Sequence, residues 1–379
     1  MNTLLIKPKI LVWARERAGF EVADLLKPFP KLTEWEQGVS SPTLNQLEKL
    51  AKRLWAPLGY FFLPAWPDEK LPIPDFRSVR DTPIQHPSPD LLETIFSMQR
   101  RQEWYKDFIF REGATPLLFV GSASLNDDPS AVANRMRSVL GIGAGWTQSM
   151  PKWEDAFNTL WLNAEQAGVI VVCNGVVGNN TSRILDVEEF RGFVLPDSLA
   201  PLIFINNVDA KAAQMFTLAH ELAHIWLGSA GVLNFRNLKP ADNETELFCN
   251  AVAAEFLVPS GELASAWARQ KSFYNLANYF KVSPLVIARR VLDAGYISKD
   301  DFFRFYNSFM ANARAEREAR EPGGSFYSNC EYRIGRPFAD AIARAAKGGK
   351  LLYSEAYRLT GLKGETFDKY ILKMSREGG

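Results

Sequence analysis

Two histidines stand four residues apart with a glutamate directly after the first, as His220, Glu221 and His224. On a helix this spacing places both imidazole rings on one face, one turn apart. Both rings can then bind one Zn²⁺ ion, and Glu221 can reach a metal-bound water and take its proton. The whole chain has only three histidines, so chance produces this arrangement on the order of once in a thousand such chains. The spacing therefore predicts a hydrolytic zinc site rather than two histidines in an apolar core.

A catalytic zinc site needs a third protein ligand and keeps its fourth position for water. Glu246 opens a second predicted helix, which Pro259 ends, and Asn250 follows one turn later on the same face. We expect Glu246 to be the third ligand and Asn250 to hydrogen-bond and orient an imidazole. Three other residues of this stretch stay open as alternative ligands: Glu244, Cys249 and Glu255. The site therefore needs two neighbouring helices, one with the histidines and one with the third ligand.

The sequence around these helices resembles the ImmA/IrrE zinc metallopeptidases over roughly residues 150 to 300. Four stretches carry the resemblance and occur in the family's order: 183–195, 201–206, 216–228 and 246–259. The resemblance implies that His220, His224 and Glu246 hold zinc and that Glu221 is the catalytic base. It also implies a protein substrate, which would be a repressor or an antitoxin-like regulator.

Two predicted strands, 190–195 and 202–205, precede the histidine helix. In zinc proteases of this plan, a sheet edge beside the metal helix binds substrate as an added strand, and either strand is a candidate for that edge. The remaining histidine, His86, lies in a proline-rich stretch. The candidates for a side chain that stabilises the oxyanion are therefore Arg191 and Tyr327.

Composition bounds the class of protein. The chain has 379 residues, 47% of them hydrophobic and 23% charged, with a formal net charge of +1. These values are typical of a globular protein of two or three domains, and a basic surface for nucleic acid would have to be local. Three scattered cysteines provide no disulfide framework. The start of the chain has no signal-peptide order, and no apolar run approaches about eighteen residues. We therefore predict a cytoplasmic protein that does not span a membrane.

The predicted fold is mainly α with a small β-sheet. Helical periodicity indicates helices that include 90–111, 130–140, 153–167 and 261–279, and 169–173 is typical of a buried strand. Prolines, glycines and charge predict five segments: a helical domain (1–66), a proline-rich linker (67–90), a helical connector (91–149), a peptidase domain (150–321) and a basic helical unit (322–379).

The first segment resembles the XRE-type helix-turn-helix domain, on the residues from Leu32 to Ala51. The resemblance implies that the helix starting near Pro30 enters the DNA major groove. However, residues 1–66 hold nine Lys and Arg against six Asp and Glu, a net charge of only +3, and two of the acids, Glu34 and Glu36, fall near the expected reading surface. Three residues are candidate contacts to DNA or to a protein partner: Lys27, Lys31 and Thr33. Both partners stay open.

Two functions follow from these patterns. The first is a zinc-dependent endopeptidase, gluzincin-like in its HExxH motif, that cleaves a regulatory protein partner. The alternative is a DNA-binding transcriptional regulator or antitoxin-type protein whose zinc site is structural or regulatory. A structural site would be closed by four protein ligands, and Cys249 beside Glu246 is the feature that favours it. The base-like position of Glu221 favours the enzyme.

Overall fold

The structure, a computed structural model, describes residues 6–67, 69, 87–229, 231–233, 244–318 and 332–377. The chain divides into two compact units, one of residues 1–72 with 84–96 and one of residues 73–83 with 97–379. Among the described residues, helix accounts for 59% and strand for 7%. The predicted class, mainly α with a small sheet, is confirmed. The five segment boundaries inferred from the sequence stay a prediction.

The first unit holds four short α-helices and one 3₁₀ helix. They are α1 (Pro8–Arg17), α2 (Val22–Leu26), α3 (Leu32–Glu36), α4 (Leu44–Arg53) and the 3₁₀ helix Leu58–Phe62. Thr43 caps α4 through a reciprocal pair of hydrogen bonds with Gln46, which satisfies backbone groups that the first turn leaves open. Leu47, Leu50 and Ala51 recur at helical spacing and are buried against the other helices.

The second unit is built around a four-stranded sheet with helices packed against it. Its elements are, in chain order, α5 (Pro89–Arg111, which begins in the first unit), α6 (Pro129–Val139), α7 (Trp153–Gln166), β1 (Ile170–Asn174), β2 (Val176–Val177), β3 (Asn180–Ile184), β4 (Gly192–Leu195), β5 (Leu202–Asn206), α8 (Lys211–Leu227), β6 (Gly231–Leu233), α9 (Glu244–Leu257), α10 (Ser260–Arg269), α11 (Phe273–Phe280), α12 (Pro284–Asp293), α13 (Lys299–Glu318), α14 (Arg336–Lys347), α15 (Tyr353–Thr360) and α16 (Gly364–Glu377).

The strand order in this sheet is β1-β5-β4-β6. β1 and β5 are parallel, whereas β4 runs antiparallel to both β5 and β6. The expectation that β4 or β5 forms a sheet edge was therefore wrong. β5 is flanked by β1 and β4, and the three-residue strand β6, which directly follows α8, covers the other side of β4. In the described sheet the outer strands are β1 and β6.

Helix α8 is the buried centre of the second unit. Twelve of its residues are buried, and it lies between the sheet and helix α9. Ala219 and Ala223 of α8 and Ala253 of α9 are fully buried small residues, which allow the two helices to approach closely. Helix α6 adds Val132, Ala133 and Met136 to the same apolar core.

A loop from an earlier part of the chain closes the carboxyl end of α8. The backbone N–H groups of Gly121 and Ala123 donate to the carbonyl oxygens of Ile225 and Trp226, at 3.0 and 2.8 Å. Phe119 stacks on Trp226 with ring centroids 4.4 Å apart. The last carbonyl groups of a helix have no partner within it, so this loop gives the Trp226 carbonyl a partner and adds a second donor to that of Ile225.

Buried polar residues join the carboxy-terminal helices to the rest of the second unit. Arg101 of α5 donates to the carbonyl oxygens of Leu359 at 2.8 Å and Arg333 at 2.7 Å. Burial lowers the pKa of Arg101 to about 10, which leaves it charged at neutral pH. A cation near the carboxyl end of α15 is favourable because carbonyl groups concentrate there. Glu165 of α7 accepts a hydrogen bond from the backbone of Arg336, at the start of α14.

Candidate metal centre

Three side chains converge between helices α8 and α9. His220 and His224, one turn apart on α8, bring their Nε2 atoms to 3.0 Å from each other. Glu246, in the first turn of α9, places Oε2 3.1 Å from Nε2 of His220 and Oε1 3.2 Å from Nε2 of His224. Both rings are fully buried. Among the described residues, these three form a group with the spacing and chemistry of a metal site.

The donor set fits zinc in kind and in size. Donor atoms around a tetrahedral zinc, with bonds of about 2.0–2.1 Å, lie about 3.3–3.4 Å from one another. The three separations here, 3.0 to 3.2 Å, are a few tenths of an ångström shorter. Two imidazole nitrogens and one carboxylate also match the ligand types of catalytic zinc sites. Within the part of the chain that the structure describes, the metal-ligating group consists of these three side chains.

Two of these ligands, His220 and Glu246, have pKa values shifted towards the protonation states that metal binding requires. Burial lowers the pKa of His220 and outweighs the opposing effects of Glu246 and Asn250, so a neutral ring is favoured. Burial acts to raise the pKa of Glu246, but the charges and hydrogen bonds of His220 and His224 outweigh it and hold that pKa below its usual range. A neutral imidazole and an ionised carboxylate are the forms that bind a cation.

Glu221 lies fully buried beside this group, on the side of α8 that faces β4. A Cβ atom on Gly192, the first residue of β4, would lie 3.3 Å from Oε1 of Glu221. Glu221 follows His220 in the chain and therefore points away from the shared face of the two histidines. Its carboxylate therefore lies against β4.

Each histidine has its own neighbour that can orient the ring. The Asn250 side chain, one turn after Glu246, hydrogen-bonds to His220 and favours its protonated form. Ser229, just beyond α8, places its Oγ atom 3.1 Å from Nδ1 of His224. The helical spacing from Glu246 predicts such a role for Asn250, whereas Ser229 was not predicted. The available signal was Gly228, because a glycine after a helix commonly turns the chain back over the last turn.

The three alternative ligands lie in other environments. Burial and the charges of Glu246 and Glu221 raise the pKa of the Cys249 thiol well above its usual value, which opposes the thiolate that a metal needs. Glu244 is exposed. Glu255 accepts hydrogen bonds from the backbone and hydroxyl groups of Ser260 and pairs with Arg290. The geometry therefore favours Glu246 over all three.

Of the two candidates for stabilising an oxyanion, the structure describes only Arg191. Arg191 directs its guanidinium to Asp209, with Nε 3.4 Å from Oδ2. Asp209 stands two residues before the start of α8. The role of Arg191 at the oxyanion stays a prediction, and in this structure its side chain pairs with an acidic residue. Tyr327 and His86 lie outside the described residues.

The candidate contacts of the first unit are all at the surface. Lys27 follows α2, Lys31 precedes α3 and Thr33 lies within α3, and each is exposed. The two acids expected near this surface are held differently. Glu36 pairs with Arg15 at 2.8 Å, and both side chains are only 9% exposed. Glu34 accepts a hydrogen bond from the hydroxyl of Ser40. The Glu36 charge is therefore neutralised inside the unit.

Fold and site together define a metallopeptidase-type domain: a helix with His-Glu-x-x-His packed on a mixed sheet, with a glutamate from the next helix. Residues 164–292 match the IrrE N-terminal-like domain, Peptidase_M78. The resemblance to the ImmA/IrrE family is thereby confirmed over this segment, which contains all four candidate site residues, and the match supports a peptidase. Residues 334–372 match a domain family of unknown function, DUF8813. The first unit has no such match, and its helix-turn-helix assignment stays a prediction.

Neither the curated proteins nor the solved structures include a match to this chain. Among the described residues, no single helix combines the length and apolar composition of a membrane span. The pair Glu244–Leu257 and Ser260–Arg269 passes that test only when its two helices, bent by 55°, are taken together.

Proposed function

We propose that this chain is a zinc-dependent endopeptidase that cleaves a regulatory protein, of the repressor or antitoxin-like class. The observation that carries the proposal is the convergence of His220, His224 and Glu246 within 3.2 Å of one another, with Glu221 buried beside them. The Peptidase_M78 match over the same residues supports the peptidase chemistry. The regulatory substrate follows from the family resemblance and is the least direct part of the proposal.

The side chains divide the chemistry between them. His220, His224 and Glu246 would hold the zinc ion. When bound, zinc polarises a scissile carbonyl group and makes water easier to deprotonate. Glu221 accepts the proton from the attacking water and delivers it to the leaving nitrogen, and general-base assistance of this kind contributes ~10²–10⁴ in rate. Burial of Glu221 between α8 and β4 keeps its carboxylate from rotating into solvent.

An extended substrate segment would bind by adding a strand to the sheet. At the β1 edge, the indole N–H of Trp161 donates to the carbonyl oxygen of Val171 at 3.1 Å, and Gly335 closely approaches the same oxygen. These contacts occupy part of that edge. β6 pairs with β4, whose first residue adjoins Glu221, so we assign the substrate strand to the β6 side.

The first unit would then bind the protein substrate. Its exposed Lys27, Lys31 and Thr33 offer polar contacts, and Leu26, Val39 and Leu44 add exposed apolar surface. Apolar side chains among polar ones suit a protein partner better than a phosphate backbone. The alternative function, a DNA-binding regulator with a structural zinc site, requires a fourth protein ligand, and the raised pKa of Cys249 opposes that role.

The test uses the full-length zinc-loaded chain and the regulator encoded beside its gene. We expect discrete fragments by mass spectrometry, and we expect Glu221→Gln to keep the zinc while cleavage falls by ~10²–10⁴. The substitution preserves the size of the side chain and removes the proton acceptor. Cleavage by Glu221→Gln at the wild-type rate would exclude Glu221 as the base. An intact regulator after incubation with the wild-type chain would contradict the substrate class.

A further inference from the structure

Ser229, two residues beyond the end of helix α8, makes two contacts with His224. The backbone N–H of Ser229 donates to the carbonyl oxygen of His224 at 3.1 Å. The hydroxyl Oγ of the same serine lies 3.1 Å from Nδ1 of the His224 ring. The backbone contact fixes the position of the serine, and the side-chain contact fixes the orientation of the ring.

The backbone places Ser229 there by a specific turn. Gly228 adopts a left-handed conformation with φ of 67°, and its N–H donates to the carbonyl oxygen of Ile225 at 3.0 Å. A Cβ atom on Gly228 would lie 3.1 Å from Cα of Gly121, whose own N–H donates to Ile225. Glycine is therefore required for both the conformation and the close approach. Ser229 is held by the packing of two chain segments and is not a freely moving surface residue.

The role of this contact depends on which ring nitrogen of His224 carries the proton. Nε2 of His224 faces Nε2 of His220 and Oε1 of Glu246, so Nε2 must offer its lone pair to a metal. A neutral imidazole with a free Nε2 carries its proton on Nδ1. Because the ring is fully buried, that Nδ1–H group needs an acceptor inside the protein. Ser229 Oγ is at hydrogen-bond distance for that purpose.

We propose that Ser229 is a positioning residue for the metal centre: its hydroxyl accepts the hydrogen bond from Nδ1–H of His224 and so keeps Nε2 free for the metal. The proposal rests on the proposed metal site and deepens it. The two ligand rings are then oriented by different parts of the chain. Asn250 of α9 orients the His220 ring, and Ser229, which follows Gly228 after α8, orients the His224 ring. Loss of a hydrogen-bond partner to a ligating histidine costs about 10–100-fold in metal affinity. A neutral hydroxyl belongs at the lower end of that range.

Two measurements on the full-length chain test the proposal. The first is the rate at which the Nδ1–H proton of His224 exchanges with solvent in zinc-loaded protein labelled with ¹⁵N-histidine. The chain holds only three histidines, so His224→Ala assigns the spectrum. The second is zinc affinity by competition with a chelator. The variants are Ser229→Ala, the conservative Ser229→Thr, and a control, Ser265→Ala, whose hydroxyl bonds only to the backbone of its own helix.

We expect the Nδ1–H proton of His224 to exchange slowly with solvent in the wild type, in Ser265→Ala and in Ser229→Thr. In Ser229→Ala we expect faster exchange of that proton and a zinc affinity about tenfold lower. Wild-type exchange together with wild-type zinc affinity in Ser229→Ala would overturn the proposal. A wild type that binds no zinc would contradict the proposed function, whereas a wild type that binds zinc beside an unaffected Ser229→Ala would overturn only the role of Ser229.

Discussion

Gly192 and Glu221 occupy adjoining space. A Cβ atom on Gly192 would lie 3.3 Å from Oε1 of Glu221 and 2.6 Å from Cγ2 of Thr217, one turn earlier on α8. The backbone of β4 can therefore lie against this face of the helix only because position 192 has no side chain. A methyl group at position 192 would therefore push strand β4 and the Glu221 carboxylate apart.

Gly192→Ala should impair both stability and hydrolysis. The new methyl group would also meet the carbonyl oxygen of Phe204 at 2.9 Å, and this backbone atom cannot rotate away. We expect the free energy of unfolding to fall by about 1–3 kcal/mol, and the turnover number to fall because Glu221 is displaced. Zinc affinity should change little, because the ligands lie on another face. Gly261→Ala is the matched control, since no atom lies within 4 Å of its added Cβ. Wild-type turnover in Gly192→Ala would contradict the coupling.

Zinc binding should depend on Glu246 and not on its neighbour Glu244. Glu246→Ala removes one of three ligands, so we expect zinc affinity to fall by more than about 100-fold, beyond the effect of losing an outer hydrogen bond. Glu244→Ala changes an exposed carboxylate two residues earlier in the same helical turn. It should retain one zinc per chain at wild-type affinity. Metal analysis with chelator competition measures both, and full affinity in Glu246→Ala would move the third ligand elsewhere.

The metal ligands could be predicted from the sequence because helical geometry alone brings them together. The four-residue spacing of His220 and His224 needs no tertiary information. Glu246 and Asn250 follow the same rule on the next helix. Arg191 could not be placed in this way, because its pairing with Asp209 depends on how β4 packs beside the start of α8. The position of a long side chain depends on tertiary packing, which the spacing of residues along one helix does not describe.

The strand order was not predictable for a related reason. The stretches 190–195 and 202–205 contain β4 and most of β5, which pair with each other, but the outer neighbours β1 and β6 come from elsewhere in the chain. The strand β6 has three residues and no alternating pattern to reveal it. The predicted helix 261–279 is two helices, α10 and α11, because Ser272 starts a new one by capping it.

The free energy of unfolding should depend on pH because the pKa of Glu165 is shifted in the folded chain. Burial raises the pKa of Glu165 to about 8, against the opposing effect of Arg336, whose backbone N–H donates to the carboxyl group at 3.0 Å. In the unfolded chain this pKa is about 4.3. Between these two pH values the folded chain binds more protons, so the stabilising contribution is complete below about pH 4.3 and is lost as pH rises through about 8.

Glu165→Gln removes this titration and keeps the shape of the side chain. Relative to wild type, the variant should gain stability as the pH is raised from about 5 to about 9. Urea denaturation at both pH values measures the difference. Glu154→Gln, an exposed position on the same helix, should follow wild type at both. A Glu165→Gln variant whose free energy of unfolding runs parallel to that of wild type would show that Glu165 titrates normally.

The affinity for DNA and its dependence on salt distinguish a first unit that binds a protein from one that binds DNA. With a net charge of +3 over residues 1–66, few phosphates can be neutralised, and each contributes about −0.9 to the slope of log affinity against log salt. We therefore expect the full-length chain to bind duplex DNA weakly, with a slope no steeper than about −3.

Double substitution of Lys27 and Lys31 by alanine should lower the rate of regulator cleavage, whereas the same change at Lys49 and Lys52, exposed on α4, should not. Fluorescence anisotropy over a salt series measures the DNA binding. A steep, sequence-selective complex that is lost only in the Lys27 and Lys31 variant would make the first unit a DNA reader, and the peptidase would then be one that is carried to DNA.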